Sequence, residues 1–370
     1  MNDRLSLLVD LYELTMAECY LRSKKNTRAT FDLFVRHLPA RRFFLVFAGL
    51  SRILAFIRDF KVSADDIAYL KSLEVFSGDF LRHLAGLRFT GDVWAMAEGT
   101  VFFPDEPVVR VTAPIIQAQL LEGFLLNTVN LQTMIASKAA RVCASAQGRP
   151  VYDFSLRRTH GADAALEAAR SAYIAGCAGT SNVLAGKRYN IPVTGTMAHS
   201  FVMSFDNERD SFASYARTFP AKSILLVDTY DVIQGIKNAI ATGLDLKKQG
   251  YRLAGIRLDS GDIVSLSKAA RRMLDAAGLK SVAIVASGNL DEYGIQKLLK
   301  QKAPVDSFGV GTQMGTSFDA PALDVIYKLS EVSHDNGSFL PTMKLSKAKK
   351  TYPGWLWAES SRYMLRRKCS

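Results

Sequence analysis

Three groups of polar residues and glycines stand at the ends of short apolar runs, from where they could do chemistry together. In chain order, the groups are Thr196 with His199; Arg257, Asp259, Ser260, Gly261 and Asp262; and Gly309, Gly311 and Thr312. In α/β folds the carboxyl ends of parallel strands meet at one edge, and active sites are built there. The three groups are therefore predicted to face a common site.

Glycine-rich turns and arginines in these groups suit a phosphorylated or carboxylated substrate. The turns at Ser287-Gly288 and at residues 309–312 would offer backbone N–H groups and a helix amino terminus to a phosphate. Arg157 and Arg257 suit the planar, bidentate recognition of a carboxylate or a phosphate. The sequence therefore favours an anionic small molecule as the ligand.

Aspartates and one aromatic residue complete the predicted site. Asp228, Asp259 and Asp262 could hold ribose hydroxyls or Mg²⁺, which prefers oxygen ligands and keeps several waters. Phe154 offers a flat apolar face to an aromatic ring. His199, one of five histidines, could serve as a nucleophile or an acid–base group.

Each of these residues also has a plainer structural explanation. Asp228, Ser260 and Asn289 could simply cap helices, because Asp, Ser and Asn are favoured at that position. His199 could be a hydrogen-bonded structural residue, and Phe154 an ordinary core residue. Capping does not explain two arginines, a histidine and several aspartates at the same ends of the strands, and we therefore prefer the functional interpretation.

The elements that must position these residues alternate between short apolar strands and amphipathic helices. The predicted strands are residues 151–154, 191–193, 223–227, 255–258, 282–285 and 307–310, and the predicted helices are 163–175, 232–242, 263–277 and 290–300. Near-continuous apolar strands between helices predict a parallel sheet that is covered by helices. Six such repeats favour a βα barrel-like catalytic domain, and an open doubly wound sheet is the alternative.

The preceding part of the chain predicts a mixed α/β domain. Helices are expected at 5–20, 63–70 and 78–87, and strands at 29–35, 93–101 and 107–111. Residues 115–144 predict two buried helices separated at 126–130. The predicted division is an α/β amino-terminal domain at 1–130, the barrel-like domain at 131–330 and a shortened carboxyl-terminal segment at 331–370.

Composition excludes several classes of protein. The 370 residues have a net charge of +12, but the basic residues are dispersed and accompany no nucleic-acid-binding motif, which favours a polyanionic metabolite over nucleic acid. No apolar stretch approaches the 18 residues of a membrane span, and the amino terminus does not resemble a signal peptide. The four scattered cysteines predict neither zinc nor disulfides and fit a cytoplasmic protein.

Several motifs together resemble nicotinate phosphoribosyltransferase, in the type II phosphoribosyltransferase family. They are Asp10-Leu11-Tyr12-Glu13-Leu14-Thr15-Met16, Phe31-Asp32-Leu33-Phe34-Val35-Arg36, Leu125-Leu126-Asn127, Lys138-Ala139-Ala140-Arg141, Phe154-Ser155-Leu156-Arg157-Arg158, Gly179-Thr180-Ser181-Asn182 and the three groups above. They occur in the family's order from about residue 8 to about residue 353. The resemblance implies the family's barrel-like architecture with an α/β amino-terminal domain.

The resemblance also implies a reaction and its catalytic residues. Nicotinate and phosphoribosyl pyrophosphate would give nicotinate mononucleotide and pyrophosphate in NAD salvage, coupled to ATP hydrolysis, with Mg²⁺ as cofactor. His199 matches the histidine that ATP phosphorylates in this family, and Asp259 is the second predicted catalytic residue. Nicotinamide and quinolinate remain alternative substrates, and a non-catalytic phosphoribosyl pyrophosphate-binding protein is the alternative from another class.

The implied nicotinate site combines two aromatic rings with polar groups. Phe154 would cover one face of the pyridine ring, and Tyr12 of the partner subunit in a homodimer would cover the other. Thr196 and Arg257 match nicotinate-contacting positions. Ser181 stands where the nicotinamide enzyme has an aspartate, and the absence of that carboxylate favours an acidic substrate.

The remaining predicted site residues bind phosphate or metal. The predicted phosphoribosyl pyrophosphate-binding residues are Arg157, Asp228, Ser260, Gly261, Ser287, Gly288, Gly309, Gly311 and Thr312. The predicted Mg²⁺ ligands are Asp228, Asp259 and Asp262. Two departures from the family are Ser155, where glycine is usual, and residues 355–370, which do not resemble the family's continuation and look shortened or frame-altered.

Overall fold

The computed structural model describes residues 5–23, 27–334, 337–343 and 365–368, and divides into two compact domains. The first domain comprises Met1–Met134 and Ala322–Ser370, and the second comprises Ile135–Pro321. These boundaries differ from the predicted division, because the chain after residue 321 returns to the sheet of the first domain. Of the altered tail that the sequence indicates at residues 355–370, residues 355–364 and 369–370 lie outside the described residues.

The helices and strands of the described residues are numbered in chain order. The strands are β1 (Thr27–Val35), β2 (Leu45–Val46), β3 (Asp92–Ala95), β4 (Val101–Phe102), β5 (Val109–Pro114), β6 (Val151–Asp153), β7 (Gly179–Thr180), β8 (Ile224–Leu226), β9 (Gly255–Leu258), β10 (Ala283–Ala286), β11 (Ser307–Val310), β12 (Val325–His334), β13 (Leu340–Pro341) and β14 (Leu365–Lys368). The helices are α1 (Leu11–Arg22), α2 (Leu50–Asp59), α3 (Ala64–Ser72), α4 (Gly78–Gly86), α5 (Ile115–Gln119), α6 (Glu122–Ser145), α7 (Ala162–Ile174), α8 (Val183–Tyr189), α9 (His199–Met203), α10 (Glu208–Thr218), α11 (Val232–Lys248), α12 (Ile263–Ala276), α13 (Glu292–Lys300) and α14 (Thr312–Gly315). None of the helices in this part of the chain is both long enough and apolar enough to cross a membrane.

An antiparallel sheet organises the first domain. Its strand order is β13-β12-β1-β5-β3-β14, and almost every residue of the central strand β1 is buried. Phe31 on β1 stacks on Tyr327 of β12, with ring centroids 4.8 Å apart. Asp32 forms a buried, two-pronged ion pair with Arg110 of β5, at 2.6 and 2.8 Å. Such a pair satisfies both charges inside the sheet, where an unpaired charge would be costly.

A parallel sheet that forms an incomplete ring organises the second domain. Its order is β7-β6-β11-β10-β9-β8, so the first strand β6 pairs with the last strand β11. Val193 extends the other end through a parallel bridge with Thr180. Within the described residues, the step from Val193 to β8 is the one step of this ring without a strand pairing. The predicted α/β class, with a barrel-like parallel sheet, is confirmed.

Apolar side chains of strands and helices fill the second domain. The core contains Leu225, Ile256, Ile284 and Phe308 from four adjacent strands, all with essentially no exposed surface. Because the strands are covered on both faces, they are continuous apolar runs rather than alternating patterns. This burial fixes the strands and leaves their carboxyl ends to carry polar residues.

Several elements differ from the sequence-based expectations. Residues 115–144 are interrupted at 120–121 rather than at 126–130, because polar residues inside α6 find partners: Asn130 Oδ1 accepts a hydrogen bond from Leu323 N. The predicted strand 93–101 breaks into β3 and β4 at a turn, in which Thr100 N donates to Ala97 O and Gly99 has a φ of 88°. The predicted helix at 5–20 is divided into a 3-10 helix at Leu5–Leu7 and α1, which begins at Leu11.

The remaining differences are elements that the sequence did not predict. They are β2, α2, β12, β13 and β14 in the first domain and β7, α8, α9, α10 and α14 in the second. The strand β7 has two residues and α14 has four, too short for a hydrophobic period to be visible. The predicted strand at 191–193 retains only the bridge at Val193.

Candidate active site

The strands of the second domain bring the predicted site residues to one edge of the parallel sheet. Every loop that carries them leaves the carboxyl end of its strand, because β6, β8, β9, β10 and β11 run in the same direction. Residues of this edge are Phe154 after β6, Asp228 after β8, Asp259 after β9, Ser287 after β10 and Gly311 after β11. The alternation of strands and helices thus produces the convergence that the sequence predicts.

Arg257 is the centre of the hydrogen-bond network at this edge. Its Nε donates to Ser287 Oγ at 2.7 Å, its Nη1 to Thr196 Oγ1 at 3.1 Å and its Nη2 to Asp259 Oδ1 at 2.5 Å. The guanidinium carbon lies 5.5 Å from the centroid of the Phe154 ring, a cation–π distance. Residues from four different loops or strands therefore fix one positive charge beside one aromatic face.

Three of the five guanidinium N–H groups of Arg257 are used by these partners. Each terminal nitrogen keeps one N–H beyond the bonds that the described residues make. The arginine is half-buried rather than sealed in the core. This arrangement can present a positively charged pair of donors to an anionic group on a flat ligand.

Asp259 is held as a carboxylate by its neighbours. Burial opposes this, but a hydrogen bond from Ser287 Oγ at 2.6 Å and the charge of Arg257 lower the pKa of Asp259 below its usual value. Asp259 can therefore accept hydrogen bonds from a substrate without being protonated at neutral pH.

Ser287 is placed differently from the phosphate-binding role that the sequence predicts. Its hydroxyl accepts from Arg257 and donates to Asp259, and its backbone N–H donates to Leu258 O at 2.9 Å. Both of its donors are therefore used inside the protein. Ser287 serves to orient Arg257 and Asp259, and the adjacent Gly288 is the residue of this turn that remains for a phosphate.

Asp228 links two neighbouring loops and keeps one oxygen without a partner. Its Oδ2 accepts from Asp259 N at 2.9 Å and from Ser260 Oγ at 2.7 Å. Its Oδ1 is buried, and no described residue bonds to it. A buried carboxylate oxygen without a partner is costly unless a ligand or a cation satisfies it.

Asp262 has a structural role at the start of α12. Its Oδ1 accepts from Val264 N at 3.1 Å and from Ser265 N at 3.4 Å, and its Oδ2 accepts from Ser265 Oγ at 2.6 Å. Among the described residues, no three His, Cys, Asp or Glu side chains form a group that could hold a metal ion. The three predicted Mg²⁺ ligands therefore do not assemble into such a site by themselves.

His199 is the first residue of the short helix α9 and is partly exposed. Its Nδ1 lies 3.1 Å from the hydroxyl oxygen of Thr229, which stands directly after Asp228. This contact orients the ring and leaves Nε2 as the nitrogen that can react. Thr229 is a site residue that the sequence did not single out, since a threonine after a strand carries no specific signal.

Phe154 owes its position to a glycine on the neighbouring strand. A Cβ built on Gly309 would lie 2.5 Å from Cε2 and 2.6 Å from Cδ2 of the Phe154 ring. No other residue type leaves room for the ring at this place. Gly309 thus supports the aromatic face through its missing side chain, whereas the sequence predicts phosphate binding for it.

The two glycine-rich turns lie next to each other. Gly288 has a φ of 84°, and a side chain there would collide with the carbonyl oxygen of Asp259. Asn289 Oδ1 accepts a hydrogen bond from Gln313 Nε2 at 3.0 Å, which joins this turn to the one that contains Gly311 and Thr312. The turns can therefore form the two sides of one phosphate-binding surface.

Four predicted residues lie at the periphery of the second domain's site or outside that domain. Arg157 is exposed in the loop after β6, and Gly261, with a φ of 80°, forms the turn before α12. Ser181 follows β7, and its N–H donates to Asp153 O at 2.8 Å. Tyr12 belongs to α1 of the first domain, with 46% of its surface exposed.

Asp153 and Thr180 form a buried support that sequence reasoning missed. Thr180 Oγ1 donates to Asp153 Oδ2 at 2.7 Å, and Ser155 N donates to Asp153 Oδ1 at 2.9 Å. Burial raises the pKa of Asp153, although these hydrogen bonds oppose the change. The pair fixes the start of the loop that carries Phe154 and Arg157.

Comparison with known proteins agrees with this fold. The sequence matches the family model of the nicotinate phosphoribosyltransferase N-terminal domain over residues 7–130 and that of the nicotinate phosphoribosyltransferase family over residues 150–350. It is 51% identical over 349 residues to a nicotinate phosphoribosyltransferase of Mycobacterium tuberculosis, covering 94% of this chain and 74% of the relative. It is 45% identical over 359 residues to that of Bacillus subtilis, covering 95% and 72%.

A solved structure gives the same result. The crystal structure of human nicotinic acid phosphoribosyltransferase superposes with a TM-score of 0.82 at 32% identity, covering 94% of this chain and 77% of that one. The two-domain α/β fold with a parallel, ring-like sheet therefore defines a phosphoribosyltransferase of this architecture. The chain belongs to the nicotinate phosphoribosyltransferase family, as its motifs indicated.

Proposed function

We propose that this protein is a nicotinate phosphoribosyltransferase of NAD salvage. It would join the ring nitrogen of nicotinate to C1 of phosphoribosyl pyrophosphate and release pyrophosphate, with nicotinate mononucleotide as the product. The observation that carries the proposal is the arrangement around Arg257, where a positive charge lies 5.5 Å from the Phe154 ring. An aromatic acid is the ligand class that matches a cation beside a flat apolar face.

The choice of nicotinate over nicotinamide follows from charge. The two guanidinium N–H groups that Arg257 keeps can bind a carboxylate, and Thr196 orients them, because its hydroxyl oxygen accepts from Arg257 Nη1. Ser181 brings no negative charge to this edge of the sheet, whereas an aspartate would repel an acid. The neutral amide of nicotinamide would offer Arg257 no negative charge to pair with.

Catalysis would consist of positioning and of charge stabilisation. Phe154 and Arg257 would hold the pyridine ring so that its nitrogen faces C1, and the turns at Gly288 and at Gly311 would bind the phosphates. As the bond to pyrophosphate breaks, positive charge develops at the ribose carbon. The ionised Asp259 would stabilise that charge or hold the ribose hydroxyls.

ATP would act through His199. With Nδ1 engaged by Thr229, the imidazole Nε2 is free to attack the γ-phosphate, which forms a phosphohistidine and releases ADP. Hydrolysis of the phosphohistidine then returns the free histidine and releases phosphate. The added negative charge near Arg257 and Asp259 would reorder the loops around the substrates.

Mg²⁺ could bind this site through few protein ligands. Asp228 Oδ1 is buried without a partner among the described residues, whereas Asp259 Oδ1 and both oxygens of Asp262 are already bonded within the protein. Mg²⁺ commonly uses one or two carboxylates together with substrate phosphates and water. Asp228 is therefore the proposed protein ligand, and the ion would neutralise the pyrophosphate when bound.

We also propose a homodimer with shared active sites, in which Tyr12 of the partner subunit covers the second face of nicotinate. An exposed tyrosine at the start of α1 is available for such a contact, and nearly half of its surface is accessible in the single chain.

The described cysteines Cys19, Cys143 and Cys177 are free thiols, which supports a cytoplasmic location.

The reaction is tested by supplying phosphoribosyl pyrophosphate with nicotinate, nicotinamide or quinolinate, each with and without ATP, and measuring the mononucleotide formed. Nicotinate should be the preferred substrate and ATP should stimulate it. Arg257→Ala should lower kcat/KM for nicotinate by an amount equivalent to about 2–5 kcal/mol, because a charge-assisted hydrogen bond in a shielded site is lost. Preference for another pyridine, or binding of phosphoribosyl pyrophosphate without turnover, would contradict the proposal.

The shared site is tested by mixing two inactive variants. Tyr12→Ala subunits and His199→Ala subunits, once exchanged, should form heterodimers that contain one intact site and recover ATP-stimulated activity. Subunit exchange is verified by differently tagged chains. A mixture that exchanges subunits but recovers no activity would refute the shared site and leave the reaction itself untouched.

A further inference from the structure

A fully buried lysine lies behind the phosphate-binding turns. Lys138 belongs to α6 and has no exposed surface. Its Nζ forms ion pairs with Glu292 Oε2 at 2.6 Å and with Asp319 Oδ1 at 2.9 Å. None of these residues is part of the reaction described above.

The two acids belong to the two segments that carry the glycine-rich turns. Glu292 is the first residue of α13 and follows the turn at Gly288. Asp319 follows α14, which begins directly after Gly311. One ammonium group therefore holds the continuations of both turns at a fixed separation.

Further contacts strengthen this connection. Arg141, one helical turn beyond Lys138 on α6, pairs through Nε with Glu292 Oε1 at 2.9 Å, and its Nη2 donates to Tyr293 Oη at 3.0 Å. Asn289 and Gln313 are hydrogen-bonded to each other across the turns themselves. Both carboxylate oxygens of Glu292 are thus engaged by cations from one helix.

Stability alone is a weak reason for such a cluster. Removing charges from water is costly, and well-packed apolar residues often replace buried ion pairs without loss of stability. Burial opposes ionisation of Glu292, yet Lys138 and Arg141 lower its pKa and keep it charged. The ion pairs instead fix positions, because each carboxylate is held next to the buried ammonium group of Lys138.

We propose that Lys138 is a positioning residue for phosphoribosyl pyrophosphate: it fixes the distance between the turn at Gly288 and the turn at Gly311 through Glu292 and Asp319. The assignment rests on the proposed function, since it takes phosphoribosyl pyrophosphate as the ligand of these turns. Misplacement of binding groups by about 1 Å can lower the rate about a hundredfold. A residue that fixes the separation of the two turns can therefore affect both binding and rate.

The test replaces the charge and keeps the length of the side chain. Lys138→Met should lower the calorimetric affinity for phosphoribosyl pyrophosphate and raise its KM by about tenfold or more. The KM of nicotinate should change much less. Lys138→Arg should restore part of the affinity. Hydrogen exchange of the unliganded protein should rise in residues 287–291 and 311–316 together.

A matched control has a buried ion pair outside this cluster. Arg110→Met breaks the pair with Asp32 in the sheet of the first domain, and it should lower stability without a selective effect on phosphoribosyl pyrophosphate. If Lys138→Met does not fold, Asp319→Asn removes one ion pair at a partly exposed carboxylate and should give a smaller change in the same direction.

The outcomes separate the two proposals. A wild-type protein that does not bind phosphoribosyl pyrophosphate would overturn the proposed function, and with it the ligand assigned to these turns. The positioning role alone would be overturned by a different result. In that case wild type binds phosphoribosyl pyrophosphate, and a folded Lys138→Met or Asp319→Asn variant binds it equally well with unchanged hydrogen exchange in both turns.

Discussion

Gly309→Ala is the substitution that most directly tests how the aromatic face is built. The added methyl carbon would stand 2.5 Å from Cε2 of Phe154, whereas carbon atoms in contact prefer about 3.5–4.0 Å. The ring must therefore retreat by about 1 Å or more. Gly309 itself is buried on β11 and has little freedom to move the other way, because its strand pairs with β6 and β10.

The expected magnitudes follow from this displacement. Overpacking of a core site typically costs about 1–3 kcal/mol, and alanine regains about 0.4–1 kcal/mol by restricting the unfolded chain. The net loss should be about 1–2 kcal/mol, or a Tm lower by a few degrees. Loss of the stacking geometry should cost a further 0.5–1.5 kcal/mol, roughly a two- to tenfold rise in the KM of nicotinate.

The assay compares wild type, Gly309→Ala, Phe154→Leu, the double variant and a control by thermal unfolding and by steady-state kinetics. Gly86→Ala is the matched control, since an added Cβ there meets nothing within 4 Å. Phe154→Leu combined with Gly309→Ala should cost less than the sum of the single changes, because the smaller side chain makes room for the methyl group. KM for phosphoribosyl pyrophosphate should change little in Gly309→Ala.

The reasoning fails under two results. Unchanged stability and unchanged nicotinate KM in Gly309→Ala would mean that the ring accepts the methyl group without moving. Strict additivity in the double variant would mean that the cost arises from the backbone of β11 and not from the Phe154 ring.

Three further predictions concern the histidine, the first phosphate turn and the first domain. Thr229→Val removes the hydroxyl at His199 Nδ1 and should slow phosphoenzyme formation from labelled ATP by about fivefold, the worth of one hydrogen bond, while Thr229→Ser stays near wild type; equal labelling in all three would contradict the contact's role. Gly288→Ala should lower the free energy of unfolding in urea more than Gly278→Ala does, because both residues have positive φ but an added Cβ collides with Asp259 O only at residue 288. Equal losses would mean that backbone strain alone accounts for the effect and that the collision is relieved. Burial raises the pKa of Glu13 to about 7 from 4.5, so the native state binds more protons than the unfolded state in this window, and the free energy of unfolding should fall as pH rises through it; Glu13→Gln should flatten that fall between pH 5 and 7.5, and an identical slope would refute it.

Much of the second domain is predictable because its signal is local. The short segment 255–258, which lies between two longer helical patterns, predicts a buried strand, and its successor Asp259 must then lie at the sheet edge. The same reasoning locates Phe154, Asp228 and Thr312. Convergence of these positions is a property of the parallel sheet and does not depend on the details of side-chain packing.

What the sequence could not supply is the register between strands. Arg257 meets Ser287 because β9 and β10 align Arg257 with Val285, two residues before the serine. One residue of slip would send the side chain to the other face of the sheet. For this reason the serine was predicted to bind phosphate, whereas both of its donors are used within the protein.

Long-range pairing in the first domain was hidden for a similar reason. The strand β12 lies about three hundred residues after its partner β1, and no local pattern indicates this pairing. The sequence therefore predicted a separate carboxyl-terminal segment after residue 330. Asn127 and Asn130 were also misleading, since isolated asparagines indicate a turn, but a tertiary partner for Asn130 lets α6 continue.

The pairing of β1 with β12 has a consequence for biosynthesis. The second domain is one uninterrupted stretch of chain, inserted between two parts of the first. A ribosome thus delivers everything that the second domain needs before it delivers β12. The first domain must wait with β1 lacking one neighbour, and an unpaired apolar strand edge is a site of aggregation. Chaperone demand during synthesis should therefore fall on the sheet of the first domain.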